Sequence, residues 1–300
     1  MKTTIVLRNG KYIGIVDGKE IVKTKSKYYA QRCIDEMLSM VGATSDEVNE
    51  ATSEFTIDER FNFVTNVVGM VAKKKTPSCI ITGEGGLGKS WTVYKALENA
   101  GLKDMTDVIS EAGIGSVVTS EKTFTVIKGY STAKSLYRIL YQNRNSTVVF
   151  DDCDSIQKDD NAINILKGAL DSFNRRTIAW SSERLDDDLP QMFNFKGGVV
   201  FISNMSQNRM DQALKTRSMC IDLSMSIDQK IERMQTIMNS PEFLPEISLQ
   251  FKKDALELIR SCKEKCTDLS LRTLISTTKI RANEGDWQKL AKYMLTEASK

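Results

Sequence analysis

The pattern of hydrophobic and polar positions changes twice along the chain, and these changes divide it into three regions. In the first region, short β-branched runs are separated by Asn9-Gly10 and Asp17-Gly18, dipeptides that favour tight hairpin turns. This pattern predicts a small β-meander, and residues 28–40 then follow a helical pattern. The polar, acidic segment 41–56 is a predicted linker. The predicted strands are residues 3–7, 12–16 and 20–24.

A different pattern occupies the middle of the chain. A helix is predicted over residues 57–72, where Phe61, Val64, Val67, Val68 and Val71 form one stripe. Short continuous apolar runs then alternate with helical segments, which is typical of strands buried on both faces of a parallel sheet. Between the predicted helix 161–172 and the fourth run, the sequence suggests an inserted β-hairpin. The apolar runs are residues 78–82, 124–128, 147–151, 198–203 and 219–223.

After residue 225 the strand pattern stops and four helices are predicted, at residues 226–238, 250–263, 270–281 and 286–297. In the last of them, Trp287, Leu290, Tyr293 and Met294 form a stripe that we expect to be part of the core. The predicted organisation is a basic β/α domain (1–48), an α/β domain (49–225) and a helical domain (226–300).

Composition excludes few classes of protein. The 300 residues are 41% hydrophobic and 27% charged, which is ordinary for a soluble globular chain, and the net charge is only +3. Residues 1–32, however, contain eight basic and two acidic residues. This basic region could contact nucleic-acid phosphates, or could equally be a solvated lysine-rich face. No segment approaches the roughly 18 apolar residues of a membrane span, and we expect a cytoplasmic protein that does not contact membranes.

Cysteine and histidine usage narrows the chemistry. None of the six cysteines forms a C-x-x-C pair and the chain has no histidine, so a zinc site is not expected. The cysteines are expected to be reduced. Without histidine, the commonest general base is missing, so any catalysis must use carboxylates, lysine, arginine or a metal ion.

One segment points directly to phosphate binding. Residues 83–90, GEGGLGKS, match the G-x-x-x-x-G-K-[ST] phosphate loop at every fixed position, between a predicted strand and a predicted helix. Glycines allow the backbone N–H groups to surround the phosphates. Lys89 is expected to reach the β- and γ-phosphates of a nucleotide, and Ser90 to bind Mg²⁺. The motif alone does not separate kinases, GTPases and ATP-driven motors. The expected nucleotide-binding residues are Gly83, Glu84, Gly85, Gly86, Leu87, Gly88, Lys89, Ser90 and Trp91.

Acidic and amide side chains end two further predicted strands. In VVFDD, Asp151 is expected to hold Mg²⁺ and Asp152 to polarise the attacking water. The side chain of Asp152 is one methylene shorter than a glutamate side chain would be at this position. The attacking water must therefore lie closer to the strand end, or a second water must relay the contact. Asp154 is expected to be a supporting or surface carboxylate. Asn204 ends the strand 198–203 and could orient the water or sense the γ-phosphate.

Two arginines lie further along the chain, after the phosphate loop and the acidic strand end. Arg217 precedes the strand 219–223 and could stabilise charge on a neighbouring subunit's transferring phosphoryl group. Arg272 begins a helix of the carboxyl-terminal domain and could contact the nucleotide of its own subunit. Arg175 and Arg176 are alternative candidates for the contact between subunits.

Over roughly residues 55–298, these motifs resemble the AAA+ ATPase family of P-loop NTPases. The resemblance implies an α/β ATPase domain with a helical lid, in a ring or spiral homo-oligomer, often of six subunits, with ATP and Mg²⁺ between subunits. It implies Walker A roles for Lys89 and Ser90, Walker B roles for Asp151 and Asp152, sensor roles for Asn204 and Arg272, and an arginine-finger role for Arg217. The small size and the stretch GALDSFNRRTIAW suggest a phage- or plasmid-encoded member, which would act in the bacterial host cytoplasm.

The client of such an ATPase is less clear from the sequence. A DNA-associated role, such as helicase loading, clamp loading or replication, is favoured by the basic amino-terminal region and the predicted hairpin. A protein-remodelling role is the alternative. The aromatic Tyr130 follows the strand 124–128, where it could grip a peptide, stack on a base or simply pack on the sheet. A P-loop kinase is a third possibility, against which the helical lid, Asn204 and Arg217 all count.

Overall fold

The computed structural model describes residues 3–8, 11–16, 18–24, 53–112, 119–129, 132–172, 175–180, 189–266, 268–283 and 285–297. The chain divides into two compact units, Met1–Glu54 and Phe55–Lys300. The second unit contains both the phosphate loop and the carboxyl-terminal helices. The predicted helix 28–40 and most of the predicted linker 41–56 lie outside the described residues.

The first unit contains a three-stranded antiparallel meander in the order β1-β2-β3. Ile13 and Val16 of the central strand are buried, while the charged side chains of Lys11 and Lys23 are exposed. The predicted β-meander is therefore confirmed. Its strands are β1 (Thr3–Arg8), β2 (Lys11–Val16) and β3 (Lys19–Thr24).

A six-stranded parallel sheet forms the centre of the second unit, in the order β11-β4-β10-β7-β6-β5. Because β4 lies between β10 and β11, the loop after β4 is flanked by the ends of both strands. The strands are β4 (Ser78–Thr82), β5 (Lys103–Asp104), β6 (Thr123–Lys128), β7 (Thr147–Asp151), β10 (Gly198–Ile202) and β11 (Met219–Asp222).

Helices cover both faces of this sheet because its strands are apolar on both faces. Cys79 and Ile81 of β4 face a core shared with α1 and α2, whereas Ile80 between them faces a core shared with α4 and α5. This is the alternation of side chains that a strand imposes. The helices of this part are α1 (Ile57–Ala72), α2 (Lys89–Asn99), α3 (Thr106–Ala112), α4 (Ala133–Gln142), α5 (Asp160–Ala169) and α6 (Gln212–Lys215).

Local sequence signals fix where α1 begins. Glu59 N–H donates to Thr56 Oγ1 at 3.3 Å, and Thr56 N–H donates to Glu59 Oε2 at 2.8 Å. This reciprocal capping box satisfies two backbone donors that the first turn leaves unpaired. The predicted stripe is confirmed, since Phe61, Val64, Val68 and Val71 are buried and Val67 is partly buried against the same core. The helix predicted over about residues 57–72 is thus confirmed.

The predicted hairpin before β10 is also confirmed. Strands β8 (Thr177–Ala179) and β9 (Met192–Asn194) pair antiparallel. Ile178 and Phe193 are buried in the core of the α4–α5 side. The hairpin is therefore attached to the sheet domain through an apolar base, while residues 181–188 between its strands lie outside the described ranges.

Four helices complete the second unit: α7 (Ile227–Met238), α8 (Leu249–Cys262), α9 (Leu271–Ala282) and α10 (Trp287–Thr296). The prediction that the stripe on α10 is part of the core is wrong. Leu290, Tyr293 and Met294 are 52%, 54% and 46% exposed, and α10 instead buries Ala291 and Leu295. The apolar residues of α10 surround much of its circumference, so periodicity alone did not identify the packed face.

The fold class is confirmed as an α/β P-loop parallel sheet flanked by helices, with a helical carboxyl-terminal part. The sequence reading missed β5 and α3, which are short and lack a clear apolar period. Within the described ranges, no helix has the length and apolar composition needed to cross a bilayer.

Candidate active site

The loop from Gly83 to Gly88 joins the end of β4 to the start of α2. Gly83, Gly86 and Gly88 have φ of +128°, +75° and +95°, in the region that side-chain-bearing residues rarely adopt. A Cβ on Gly86 would also lie 2.8 Å from the Cβ of Ser270. Leu87 is buried and anchors the loop to the core. Glycine is therefore required here both by backbone conformation and by close packing.

The amino terminus of α2 faces this loop without a side-chain cap. Its N-cap residue is Gly88, which makes no side-chain capping bond. The backbone N–H groups of the first turn, together with the helix dipole, form an environment suited to a phosphate group. Trp91, the third residue of this helix, is 51% exposed.

Lys89 is folded back into its own loop. Its Nζ donates to the carbonyl oxygens of Gly83 and Glu84, both at 2.6 Å, and to Asn204 Oδ1 at 2.9 Å. An ammonium has three hydrogens, so all of its donors are used. Burial lowers the pKa of Lys89, and the nearby carboxylates Asp152 and Asp151 oppose that effect. The ammonium is therefore held at the loop that would surround a phosphate.

Asp151 ends β7 and is buried beside the start of α2. Ser90 Oγ donates to its Oδ1 at 3.0 Å, and the Tyr94 hydroxyl donates to its Oδ2 at 2.6 Å. Ser90 and Tyr94 are four residues apart and share a helix face. The ammonium of Lys128, at the end of β6, lies 3.3 Å from Oδ2. Burial and the bond to Asp151 raise the pKa of Tyr94, so its hydroxyl stays a donor.

Asp152 occupies an unusual backbone conformation next to this carboxylate. Its φ is +57°, and its amide donates to Ile202 O at 3.0 Å. Its side chain accepts a 2.7 Å hydrogen bond from Asn204 Nδ2. Burial and the neighbouring Asp151 raise the pKa of Asp152. The left-handed turn directs this side chain away from the strand, toward the amide that also contacts Lys89.

Asp154 makes different contacts from Asp151 and Asp152. Its Oδ1 accepts a 2.6 Å hydrogen bond from Ser203 Oγ. Ser203 Oγ in turn accepts a 3.0 Å hydrogen bond from the Met205 amide. These bonds fix the turn that follows β10. The structure therefore places Asp154 where it supports the position of Asn204.

The carboxyl-terminal helices contact the phosphate loop directly. Leu271 N–H donates to Gly86 O at 2.7 Å. Arg272 begins α9 on the same side, and its guanidinium is close enough to Asp152 to oppose the rise in that residue's pKa. Lys230 of α7 forms an ion pair with Glu84 of the loop. The start of α9 and one face of α7 thus lie against the loop.

A buried arginine missed by the sequence analysis lies near the same loop. Arg233 forms a 3.2 Å ion pair with Asp58 and stacks 3.6 Å from the centroid of the Phe61 ring. One of its nitrogens would be 3.9 Å from a Cβ on Gly88. Burial lowers the pKa of Arg233. Neither Arg233 nor Tyr94 nor Lys128 lies in a recognisable motif, so no sequence signal identified them.

Arg217 lies far from these residues. It precedes β11, is exposed, and its Nη1 donates to Ala213 O at 3.1 Å. Its backbone oxygen accepts from Ser78 Oγ, at the first residue of β4, whereas the phosphate loop follows the last residue. A five-residue strand spans roughly 15 Å. Arg217 is therefore placed at the opposite edge of the sheet from its own phosphate loop.

The two alternative arginines differ in their availability. Arg176 donates to the carbonyl oxygens of Ala169 and Gly197 at 2.8 and 2.7 Å and lies over the Phe195 ring. These contacts fix the base of the hairpin and leave little of its guanidinium for another subunit. Arg175 is exposed. Tyr130, the aromatic residue that could contact a client or pack on the sheet, lies outside the described residues.

The donor set around Ser90 and Asp151 fits Mg²⁺ bound with a nucleotide. Mg²⁺ prefers oxygen ligands, and a hydroxyl that donates to a carboxylate keeps its lone pair for a metal. Within the described ranges, no three or more His, Cys, Asp or Glu side chains are arranged to hold a metal ion. A magnesium ion here would therefore take its remaining ligands from phosphate oxygens and water.

Comparison with known proteins adds limited information. No protein-family model matches the chain. A 36.7 kDa protein of Enterobacteria phage T4, described as an uncharacterized protein of the nrdC–mobD intergenic region, is 27% identical over 296 residues, which cover 92% of this chain and 86% of the phage protein. Among solved structures, the Orc1 protein of Aeropyrum pernix in complex with DNA is similar with a TM-score of 0.42 and 13% identity. That match covers 78% of this chain but 64% of the Orc1 chain, less than two thirds.

Proposed function

We propose that this chain is a Mg²⁺-dependent AAA+ ATPase that hydrolyses ATP between subunits of a homo-oligomer. The most direct support is the position of Asn204, whose amide contacts Lys89 of the phosphate loop and Asp152 of the adjacent strand end. One side chain thereby connects the group that would bind the γ-phosphate to the carboxylate that would polarise water. This connection links nucleotide binding to hydrolysis.

The roles proposed for the individual residues follow from their contacts. Lys89 would exchange its bonds to the loop carbonyls for bonds to phosphate oxygens, which carry more negative charge. Ser90 and Asp151 would hold Mg²⁺, which supplies charge neutralisation of the phosphates when bound. Asp152 would accept a proton from the attacking water, oriented by Asn204. Arg272, on the helix that packs on the loop, would contact the nucleotide from the lid side.

The position of Arg217 supports a site shared between subunits. A guanidinium that lies one strand length from its own phosphate loop cannot stabilise phosphoryl transfer there. In a head-to-tail assembly, the same edge of one subunit would face the nucleotide of the next. We propose a ring or spiral of this kind, in which Arg217 completes the neighbouring site.

We favour DNA as the client on which this ATPase acts. It is supported by the excess of basic residues in residues 1–32 and by the exposed Lys11, Lys19 and Lys23 in the described part of the meander. Exposed lysines can bind DNA phosphates without reading sequence. The similarity to a phage T4 protein supports a phage-encoded chain, which would act in the bacterial host cytoplasm.

ATP hydrolysis measured with different clients tests this proposal. Wild-type protein should hydrolyse ATP only with Mg²⁺, and DNA should stimulate turnover with a steep dependence on salt. Stimulation by an unfolded polypeptide with indifference to DNA would favour protein remodelling, and phosphate transfer to a small acceptor would favour a kinase. Protein that neither binds nor hydrolyses ATP at any Mg²⁺ concentration would refute the ATPase assignment itself.

A pull-down can then identify the client. Asp152→Asn protein held with ATP should retain both assembly and client, because the nucleotide stays bound while hydrolysis is blocked. The matched control is the Lys89→Ala variant, which should retain neither. Equal recovery of DNA by both variants would show that DNA binding is independent of the nucleotide state.

A further inference from the structure

Lys128 is a charged neighbour of the metal-binding carboxylate that no motif includes. It is the last residue of β6, and the parallel register of the sheet pairs it directly with Asp151, the last residue of β7. Its Nζ lies 3.3 Å from Asp151 Oδ2. Because backbone pairing fixes this register, the lysine is adjacent to the carboxylate for a reason built into the fold.

The surroundings of Lys128 leave its charge free to move. Its side chain is 65% exposed, whereas that of Asp151 is 5% exposed. The ammonium lies 5.8 Å from the centroid of the Tyr94 ring, beside the aromatic side chain that donates to the same carboxylate. A lysine side chain is flexible and its ammonium is readily hydrated, so it can turn into solvent while Tyr94 and Ser90 keep Asp151 in place.

The local charge explains why such a cation is needed. Asp151, Asp152 and Asp154 bring three carboxylates into four residues, and like charges at short distance oppose each other's ionisation. Lys89 contributes one positive charge on the loop side. A Mg²⁺ ion held by Ser90 and Asp151 would add two more positive charges at the carboxylate that the Lys128 ammonium contacts, and the two cations would repel each other.

We propose that Lys128 is a displaceable countercharge for Asp151 that lowers the affinity of the site for its metal ion. Its ammonium neutralises the buried carboxylate while the metal is absent and leaves that contact when Mg²⁺ enters with the nucleotide. The inference rests on the proposed nucleotide and Mg²⁺ site. Lys128 would thus act through Asp151 and set the metal concentration at which the site is half occupied.

Mn²⁺ binding in the presence of ADP, measured by electron paramagnetic resonance, tests this role without any turnover. Lys128→Met keeps most of the stem and removes the charge, and should bind Mn²⁺ about 3- to 10-fold more tightly, on the scale of a partly exposed charge interaction. Lys128→Arg keeps the charge and should bind as wild type does. Lys122→Met, near the start of the same strand, is the matched control and should also be unchanged.

Thermal unfolding provides a second readout. Lys128→Met should lower the Tm in the presence of a chelator, because Asp151 loses its countercharge, and the difference from wild type should vanish with saturating Mg²⁺ and ADP. A lysine that merely packs on Tyr94 would lower the Tm equally in both conditions, which would overturn the inference.

The two readouts separate failure of this inference from failure of the proposed function. Wild-type protein that binds no Mn²⁺ with ADP would overturn both. Wild-type binding combined with unchanged or weaker Mn²⁺ affinity in Lys128→Met would overturn only the countercharge role. If Lys128→Met does not fold, Lys128→Gln removes the same charge with a polar end group, and the same outcomes apply.

Discussion

The two edges of the central sheet differ in what they bring together. At the carboxyl edge, hydrogen bonds of 2.7 to 3.0 Å join Lys89 to Asn204, Asn204 to Asp152, and Ser90 to Asp151. At the amino edge, the side chain of Arg217 is exposed. Among the described residues, its guanidinium donates a hydrogen bond to the nearby carbonyl oxygen of Ala213. The first edge has the groups needed to bind phosphate and metal. The second presents a cation that its own site cannot use.

This difference indicates how binding and hydrolysis can be separated in one fold. Parallel strands place their carboxyl ends on one edge, so the binding groups converge within a single chain. In the proposed assembly, a cation at the other edge would act on another copy of the chain. Changes at the carboxyl edge should therefore affect a subunit's own nucleotide, and changes at the amino edge should affect its neighbour's.

The largest expected effect comes from Arg217→Ala. ATP binding should be intact, while hydrolysis should fall by about 10³-fold, as expected for an arginine that acts on the transferring phosphoryl group. Radiometric ATPase assays and equilibrium binding of a fluorescent ATP analogue check the two parts. Arg175→Ala tests the alternative candidate, since Arg175 is also exposed.

Mixing variants makes the comparison of edges sharper. Arg217→Ala subunits mixed with Asp152→Asn subunits should recover some activity, because some interfaces would pair an intact arginine with an intact carboxyl-edge site. Absence of recovery at every ratio would argue against a shared site. A loss confined to Arg175→Ala would transfer the role to that residue.

Asp152→Asn should have the next largest effect. Hydrolysis should fall by about 10²- to 10³-fold because the general base is removed, whereas the Kd for ATP should change little, since Lys89 and Ser90 remain. The hydrogen bond from Asn204 Nδ2 can still be accepted by the new amide oxygen. Single-turnover assays measure the loss, and undiminished turnover would exclude Asp152 from this role.

The raised pKa of Asp152 gives the same variant a pH-dependent signature in stability. Burial and Asp151 disfavour the ionised form in the folded state, so wild-type protein loses stability as pH rises through the folded pKa. Asparagine does not ionise, and it tolerates the left-handed backbone at φ +57°. The Tm of Asp152→Asn should therefore exceed that of wild type more at pH 8 than at pH 4. A constant difference would indicate a backbone effect alone.

Lys89→Ala should weaken ATP binding by at least about 100-fold. The change removes charge-assisted hydrogen bonds to phosphate, each worth about 1.5 to 3 kcal/mol. Isothermal titration calorimetry measures the Kd directly. Lys95→Ala is the matched control because Lys95 lies on the same helix, is exposed and pairs with Glu98; its Kd should stay within twofold of wild type.

The smallest expected effect is that of Lys230→Gln, which removes the ion pair between α7 and Glu84 of the loop. Glu84 is more than half exposed, and such pairs contribute only about 0 to 1 kcal/mol. The Kd for ATP should shift by no more than about fivefold, and less at high salt. A shift as large as that of Lys89→Ala would mean that the lid contact, rather than the loop lysine, dominates binding.

Much of this fold followed from local patterns. The glycine spacing of residues 83–90 predicted the phosphate loop, and the continuous apolar runs predicted five of the six strands of the sheet to within one residue at either end. Each of these features depends on a short stretch of chain. Asp151 and Asp152 were identified because they end such a run.

The sequence by itself thus determined the phosphate loop, the strands and the acidic strand end, because these are set by backbone conformation and by periodicity within a few residues. Only the tertiary structure decided which face of α10 is buried, that Tyr94 and Lys128 share Asp151, and that Arg217 lies at the far edge of the sheet. Those facts depend on strand order and register, which join residues distant in sequence. No local period contains that information.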